Sequence, residues 1–320
     1  MRVLLAGLLL ASAAFAAADG CKLTQYADSS EGWAILVCAP DSKSPNGYIE
    51  QQSGQAVRRI ANTSESSLIS VSANGSAAAV SHAMSHARTR LIILSGDGIR
   101  DQFVIPGSGQ GVWDEKGERY FFHYSSTVEA DAWNVLGAYD TRTRKVAVHT
   151  LHGMTESLDF CAAKQSITTE SWMFNSGEAG LRFADEYDLN GKYLRSRTLP
   201  GGRFSASCKF ATEFVSAHGP IRTHIYDSKT GETLWSLPTT ADDSVWSSVV
   251  EWNPHYDNWA LIQESGALKL YDVGRKRVTD LHTSWQNYVR FSNDGRDLLQ
   301  ISAQRLVRTP LQQLAPTFPD

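Results

Sequence analysis

Apolar and polar residues alternate over short runs along most of the chain, and small polar turns separate the runs. VRFSNDGRDLLQIS at 289–302 shows the unit: an alternating run, a turn on Asn293, Asp294 and Gly295, then a second run. VEWNPHYDNWALIQ at 250–263, ISVSANGSAAAVS at 69–81 and VWDEKGERYFFHYS at 112–125 repeat it, and LTQYADSSEGWAILV at 23–37 opens the series. Weaker copies stand at 158–171 and 205–217. A period of two marks a strand buried on one face, and Asn-Gly, Asp-Gly or Lys-Gly supplies the positive φ of a tight turn. The pattern predicts a string of β-hairpins.

A second phrase follows in the later part of several copies. Tyr139, Tyr187, Tyr226 and Tyr271 each precede an Asp and a polar turn, at spacings of 48, 39 and 45 residues. Hairpin and phrase together make a unit of the length of a four-stranded propeller blade. Seven copies predict an all-β fold: a seven-bladed β-propeller of four-stranded antiparallel blades. The blades are expected near 21–63, 67–105, 108–151, 157–199, 203–239, 247–283 and 287–315. They fill a single domain at 19–315, with a tail at 316–320. The last copy is short, and after Pro310 only LQQL is left to act as its outer strand. How the ring closes stays open at this point.

FSNDGRDLL at 291–299 resembles the F-S-P-D-G-K phrase of TolB-type and WD40-like propellers. IYDSKTGETLW at 225–235 is similar to the third-strand phrase of WD40, YVTN and quinoprotein-like repeats. The resemblance spans essentially the whole chain after residue 18 and implies an architecture. The repeated Gly-His and Trp-Asp pairs of true WD40 blades are missing; the one Trp-Asp is Trp113 with Asp114. The Ala-x-Asp-x-x-x-Gly mark of quinoprotein blades is missing too, which argues against a quinone, and no cofactor is expected.

The N-terminus, MRVLLAGLLLASAAFAAADG, reads differently. One Arg, a short apolar run and a small-residue end predict a signal peptide at 1–18, cleaved after Ala16 or Ala18. The run is too short to span a bilayer, and Ala18, Asp19 and Gly20 make a poor lipobox for an anchor at Cys21. The expected location is periplasmic or extracellular, with no membrane insertion. In an oxidising compartment four cysteines suggest disulfides. Cys21 and Cys38 would sit opposite each other if the first hairpin centres on Ser29 and Ser30. Cys161 and Cys208 occupy equivalent places in neighbouring blades. Free thiols are the alternative, and no ligand spacing favours a metal. His82 and His86 have helical metal spacing, but they fall on a strand end and loop.

A net charge of −4 over 320 residues gives no electrostatic footprint for nucleic acid. No nucleophile elbow, phosphate loop or zinc-protease motif occurs. Large side chains collect in the loops joining second to third strands and each blade to the next: Trp133, His152, Trp172, Trp246, His282 and Trp285. Loop-borne Trp and His make a candidate partner-binding face. The expected protein is a monomeric, non-catalytic propeller that binds a protein or glycan partner. The competing reading is a lactonase-, lyase- or cyclase-like enzyme at the mouth of the axial channel, where the inner strands offer Asp159, Glu251 and Asn253.

Overall fold

The structure, a computed structural model, describes residues 22–319 apart from 40–46, 64–66, 86–87, 107–109, 126–133, 152–153, 174–180, 198–202, 216–221, 237–246, 265, 285–287 and 303–304. Seven antiparallel sheets follow one another around a common axis, as the hairpin repeat predicts. Blade 1 holds β1 (Lys22–Asp28), β2 (Trp33–Ala39), β3 (Gly47–Ser53) and β4 (Ala56–Thr63). Blade 2 holds β5 (Ser67–Val71), β6 (Ala78–Ser85), β7 (Arg88–Ser95) and β8 (Gly98–Pro106). Blade 3 holds β9 (Gln110–Trp113), β10 (Arg119–Ser125), β11 (Asn134–Asp140) and β12 (Lys145–Thr150). Blade 4 holds β13 (Met154–Cys161), β14 (Ser166–Met173), β15 (Leu181–Asp188) and β16 (Tyr193–Arg197). Blade 5 holds β17 (Phe210–Val215), β18 (Arg222–Asp227) and β19 (Thr233–Ser236), its inner strand reduced to a bridge between Phe204 and Ala211. Blade 6 holds β20 (Ser247–Trp252), β21 (Trp259–Glu264), β22 (Ala267–Asp272) and β23 (Arg277–Ser284). Blade 7 holds β24 (Val289–Phe291), β25 (Asp297–Ser302) and β26 (Arg305–Pro310).

One turn geometry recurs between the first and second strands. The carbonyls of Ser29, Ser72, Asp114, Cys161, Ser205 and Ser292 each accept an N–H from three residues on, at 2.7–3.2 Å. In blade 6 the Asn253 side chain does this instead, with Oδ1 accepting the N–H of His255 and Tyr256 at 3.0 Å. The donor is glycine at positive φ in four turns, Gly32, Gly75, Gly117 and Gly295, because the turn bends into the left-handed region. In blade 5 it is Cys208 at φ 60°, a conformation unusual for a side-chain-bearing residue, and this Cys is tied by a disulfide.

These turns also grip one another around the ring. Ser30 Oγ donates to the Asn74 carbonyl at 2.8 Å, and Asn74 Nδ2 donates to the Lys116 carbonyl at 2.6 Å. Gln165 Nε2 reaches Glu115 Oε2 at 3.4 Å, and the Cys161–Cys208 disulfide, with Cα atoms 5.4 Å apart, joins blades 4 and 5. The Ser207 N–H donates to Asp257 Oδ1 at 2.8 Å, and Asn253 Nδ2 to the Gly295 carbonyl at 2.7 Å. Between blades 7 and 1 the Asn293 N–H donates to Asp28 Oδ1 at 2.9 Å, and Arg308 ion-pairs with Asp28. The ring therefore closes by packing blade 7 on blade 1, with no strand shared among the described residues. Leu23, Tyr26 and Leu36 join Leu299, Ile301 and Leu306 in one apolar cluster there, and Tyr288 donates its hydroxyl to the Tyr26 carbonyl at 2.5 Å.

Two sequence expectations need correction. LQQL is not an outer strand but a short helix, α1 (Leu311–Leu314). Leu and Gln favour helix over strand, and Pro310 before them has no N–H to continue a ladder. The first hairpin does not centre on Ser29 and Ser30: Cys38 lies opposite Leu23, because the turn runs to Gly32 and a bulge sits between Leu23 and Gln25. Cys38 is nonetheless disulfide-bonded, and Cys21 lies outside the described residues, as does the expected signal peptide.

Candidate functional site: the axial funnel

All seven inner strands and their turns open onto one cavity of about 630 Å³ around the axis. The wall is best read by position. Two residues before the shared turn residue stand Ala27, Ser70 and Val112 in blades 1–3, then Asp159, Arg203, Glu251 and Arg290 in blades 4–7; all but the exposed Arg203 line the cavity. One half of the ring is small and uncharged at this level. The other half alternates acid and base.

The alternation sets the electrostatics. Burial pushes the Asp159 carboxyl up to about 7, against the opposing pull of Arg203 and of a hydrogen bond from the Phe204 backbone. Burial also raises Glu251, with Arg290 as the largest opposing influence and the Phe291 amide and Arg203 behind it. Arg290 Nη2 lies 3.4 Å from Glu251 Oε1, and the Phe291 N–H donates to Glu251 Oε2 at 2.8 Å. The Glu251 side chain keeps 25% of its surface open, so water in the funnel softens this desolvation. Asn253, the third polar candidate, is fully buried and spent on its turn and on Gly295. Arg203 and Arg290 escaped the sequence reading; aligning the copies on the turn residue would have brought all four charges into one column.

Two tryptophans of the inner layer are structural. Trp113 Nε1 donates to the Ser70 carbonyl at 3.0 Å and Trp252 Nε1 to the Arg203 carbonyl at 3.1 Å, each across a blade boundary. The residues expected to form a binding face are placed only in part. Trp133, His152, Trp246 and Trp285 lie outside the described residues. Trp172 lies on β14, opposite Met154 of β13. His282 lies on β23, not in a loop: it is 89% exposed, adopts φ 50°, and its N–H donates to Asp280 Oδ1 at 2.7 Å. His82 is buried on β6, 3.5 Å from Ser67 Oγ, while His86 is outside the described residues. Among the described residues no group of three His, Cys, Asp or Glu could hold a metal.

No family model matches the chain, and no curated protein matches it. Solved structures do. The β-propeller domain of the Trilobed protease from Pyrococcus furiosus, described as having an open velcro topology, is 13% identical, with TM-score 0.63 over 95% of this chain and 100% of that one. The likeness is one of fold. The Cps50 (Swd1) β-propeller domain of Myceliophteria thermophila is 10% identical, with TM-score 0.57 over 92% of this chain and 97% of that one. Pyrococcus horikoshii acylaminoacyl peptidase is 11% identical, with TM-score 0.60; this chain's 92% covers 53% of that one, about half its length. Peptidase propellers and the Swd1 propeller thus share this architecture, and the architecture does not choose a function.

Proposed function

We propose that this chain is an exported, non-catalytic propeller that binds a protein or glycan partner and serves as a rigid platform. One observation carries the reading: of the carboxylates that open on the funnel, three that could act together are already engaged by the protein, and Asp159 is left without a second free carboxylate beside it among the described residues. Glu251 is held by Arg290 and the Phe291 amide, Asp28 by Arg308 and Asn293, and Asp257 by Ser207. Catalytic acids and bases need a free lone pair or proton aimed at a substrate, and paired groups serve packing instead. The turn face is taken up by these clasps, and the Trp- and His-bearing segments expected on the other face are where sequence is free to recognise a partner.

A second reading keeps one specific support. Asp159, pushed up to about 7 beside an open cavity, has the proton affinity of a general acid or base. Site-specific photo-crosslinking separates the two. Probes at His152 and Trp285 are expected to give one discrete adduct in the exported fraction, and a probe at Glu115 on the turn face none. Absence of adducts from every loop-face position, together with a hydrolytic or lyase turnover abolished by Asp159→Asn, would reverse the assignment.

A further inference from the structure

We propose that blade 7 is completed by an extended, acid-bearing strand of a partner protein, which adds along the outer edge of β26. The argument begins with a comparison inside the fold. β3, β7, β11, β15, β18 and β22 are third strands, each covered by a fourth, and each has buried residues in its middle. β26 is also a third strand, and none of its six residues is buried. Val307, at its centre, is 43% exposed. Among the described residues no strand pairs with its outer side. The chain beyond it turns away: α1 and Phe318 pack between blades 6 and 7 with Trp259, Leu270 and Leu298.

The ladder shows which groups wait at this edge. β26 pairs antiparallel with β25, and the Leu311 N–H donates to the Arg296 carbonyl at 2.9 Å in the same register. Hydrogen-bonded pairs alternate, so Arg305, Val307 and Thr309 bond inward. The N–H and C=O of Leu306 and Arg308 point outward, and Pro310 ends the edge by lacking an N–H. Strand addition uses such a row of backbone groups, with alternate side chains giving the choice of partner.

The chemistry of the missing strand follows from the complete blades. In four of them, blades 1, 3, 4 and 6, the third and fourth strands set an acid opposite a base: Glu50 with Arg59, Asp140 with Lys145, Glu186 with Arg195, and Lys269 with Asp280; blade 2 sets none. β26 brings Arg305 and Arg308, and among the described residues only Arg308 has acidic partners, Asp28 and Asp297. An incoming strand that matches the rule carries a carboxylate opposite Arg305 and an apolar residue beside Val307. A second copy of this chain fits less well: outward-facing residues pair only with outward-facing ones, so two antiparallel β26 strands centred on Val307 set Arg305 opposite Thr309 and Arg308 opposite Leu306, and no carboxylate meets Arg305. The arginines and Pro310 thus discourage self-pairing and leave the edge open to an acidic strand. The site lies on the outer rim, apart from the loop face, so failure of either proposal leaves the other standing.

The test uses the full secreted chain and a short fluorescent peptide alternating valine with glutamate and threonine, beside the same peptide with lysine for glutamate. Anisotropy is expected to show the glutamate peptide binding about tenfold more tightly, the size of exchanging an attractive for a repulsive cross-strand pair. Hydrogen exchange is expected to show new protection at the Leu306 and Arg308 amides. Arg305→Glu, on an exposed side chain, is expected to leave the melt unchanged and reverse the peptide preference. The proposal is overturned if neither peptide binds at millimolar concentration, or if Arg305→Glu leaves the order unchanged. Protection of both amides before peptide is added also overturns it: independent of concentration, residues preceding Lys22 fill the edge; rising with concentration, a second copy does.

Discussion

Phe318→Ala probes how the segment after α1 holds blades 6 and 7 together. Phe318 is buried, its ring 4.8 Å from Tyr256 edge-on and 5.3 Å from Trp259, centroid to centroid. Arg275 Nη1 donates to the Thr317 carbonyl at 2.8 Å, and the Phe318 N–H donates to the Ala315 carbonyl at 2.9 Å. Truncating a buried Phe costs about 3–5 kcal/mol, because the transfer term is lost and a cavity remains. The partly buried Tyr256 and Leu314 border the site and can relax into the cavity, which places the expected loss near the lower bound, about 3 kcal/mol. At about 2 °C per kcal/mol for a domain of this size, Tm falls by about 6 °C. Urea melts of wild type, Phe318→Ala and a chain ending at Leu314 make the measurement. If the segment docks as a unit through this one ring, the point variant and the truncation lose nearly the same amount. A Phe318→Ala loss below about 1 kcal/mol would show that the residues after α1 contribute little to the core.

Asp159 predicts a pH dependence of stability. Its proton is held more tightly in the folded chain, at about 7, than in the unfolded one at about 3.9, so its contribution is full below about pH 4 and is lost as pH rises through 7. Asp159→Asn is expected to flatten the fall in Tm between pH 5 and pH 8, and an unchanged profile would refute that origin. Replacing Cys161 and Cys208 together by Ser opens a link spanning 47 residues, worth about 4 kcal/mol in the chain-entropy model, measurable by urea titration. Trp246→Ala and Trp285→Ala are expected to weaken partner capture by about 2 kcal/mol with the melt unchanged; a melt lowered by about 3–5 kcal/mol with capture intact would mark them as packing residues.

Much of the architecture was legible because a propeller writes the same local problem seven times. Each blade needs a buried alternating strand, a turn at positive φ and a second strand, and Gly32, Gly75, Gly117 and Gly295 mark four of those turns. The legibility failed where a local irregularity outweighed the pattern. A bulge after Leu23 moves the first hairpin out of the register its length suggests, and the inner strand of blade 5 shrinks to the Phe204 bridge. The repeat asks for a strand at LQQL, although its own propensities favour a helix. Of the site, Asp159 and Glu251 stood out as charges on apolar strands. Arg203 and Arg290 did not, since an arginine carries no acid–base signature of its own, and only the ring geometry sets the two beside Asp159 and Glu251. Which loop side chains meet a partner depends on contacts between distant blades, and alternation within one blade carries no record of those.

The closure between blades 7 and 1 differs in kind from the six other boundaries. At each of those, a covalent connection runs from the outer strand of one blade to the inner strand of the next, so separated blades stay tethered. Blades 7 and 1 have no such tether among the described residues; Asp28, Arg308, Asn293, Tyr288 and the cluster around Leu23 hold them. Under load or denaturant, this seam can part without straining any backbone bond, and rejoining restores the ring unchanged. The molecule is in this respect a clasped bracelet, with a single place where it opens and six where it only bends.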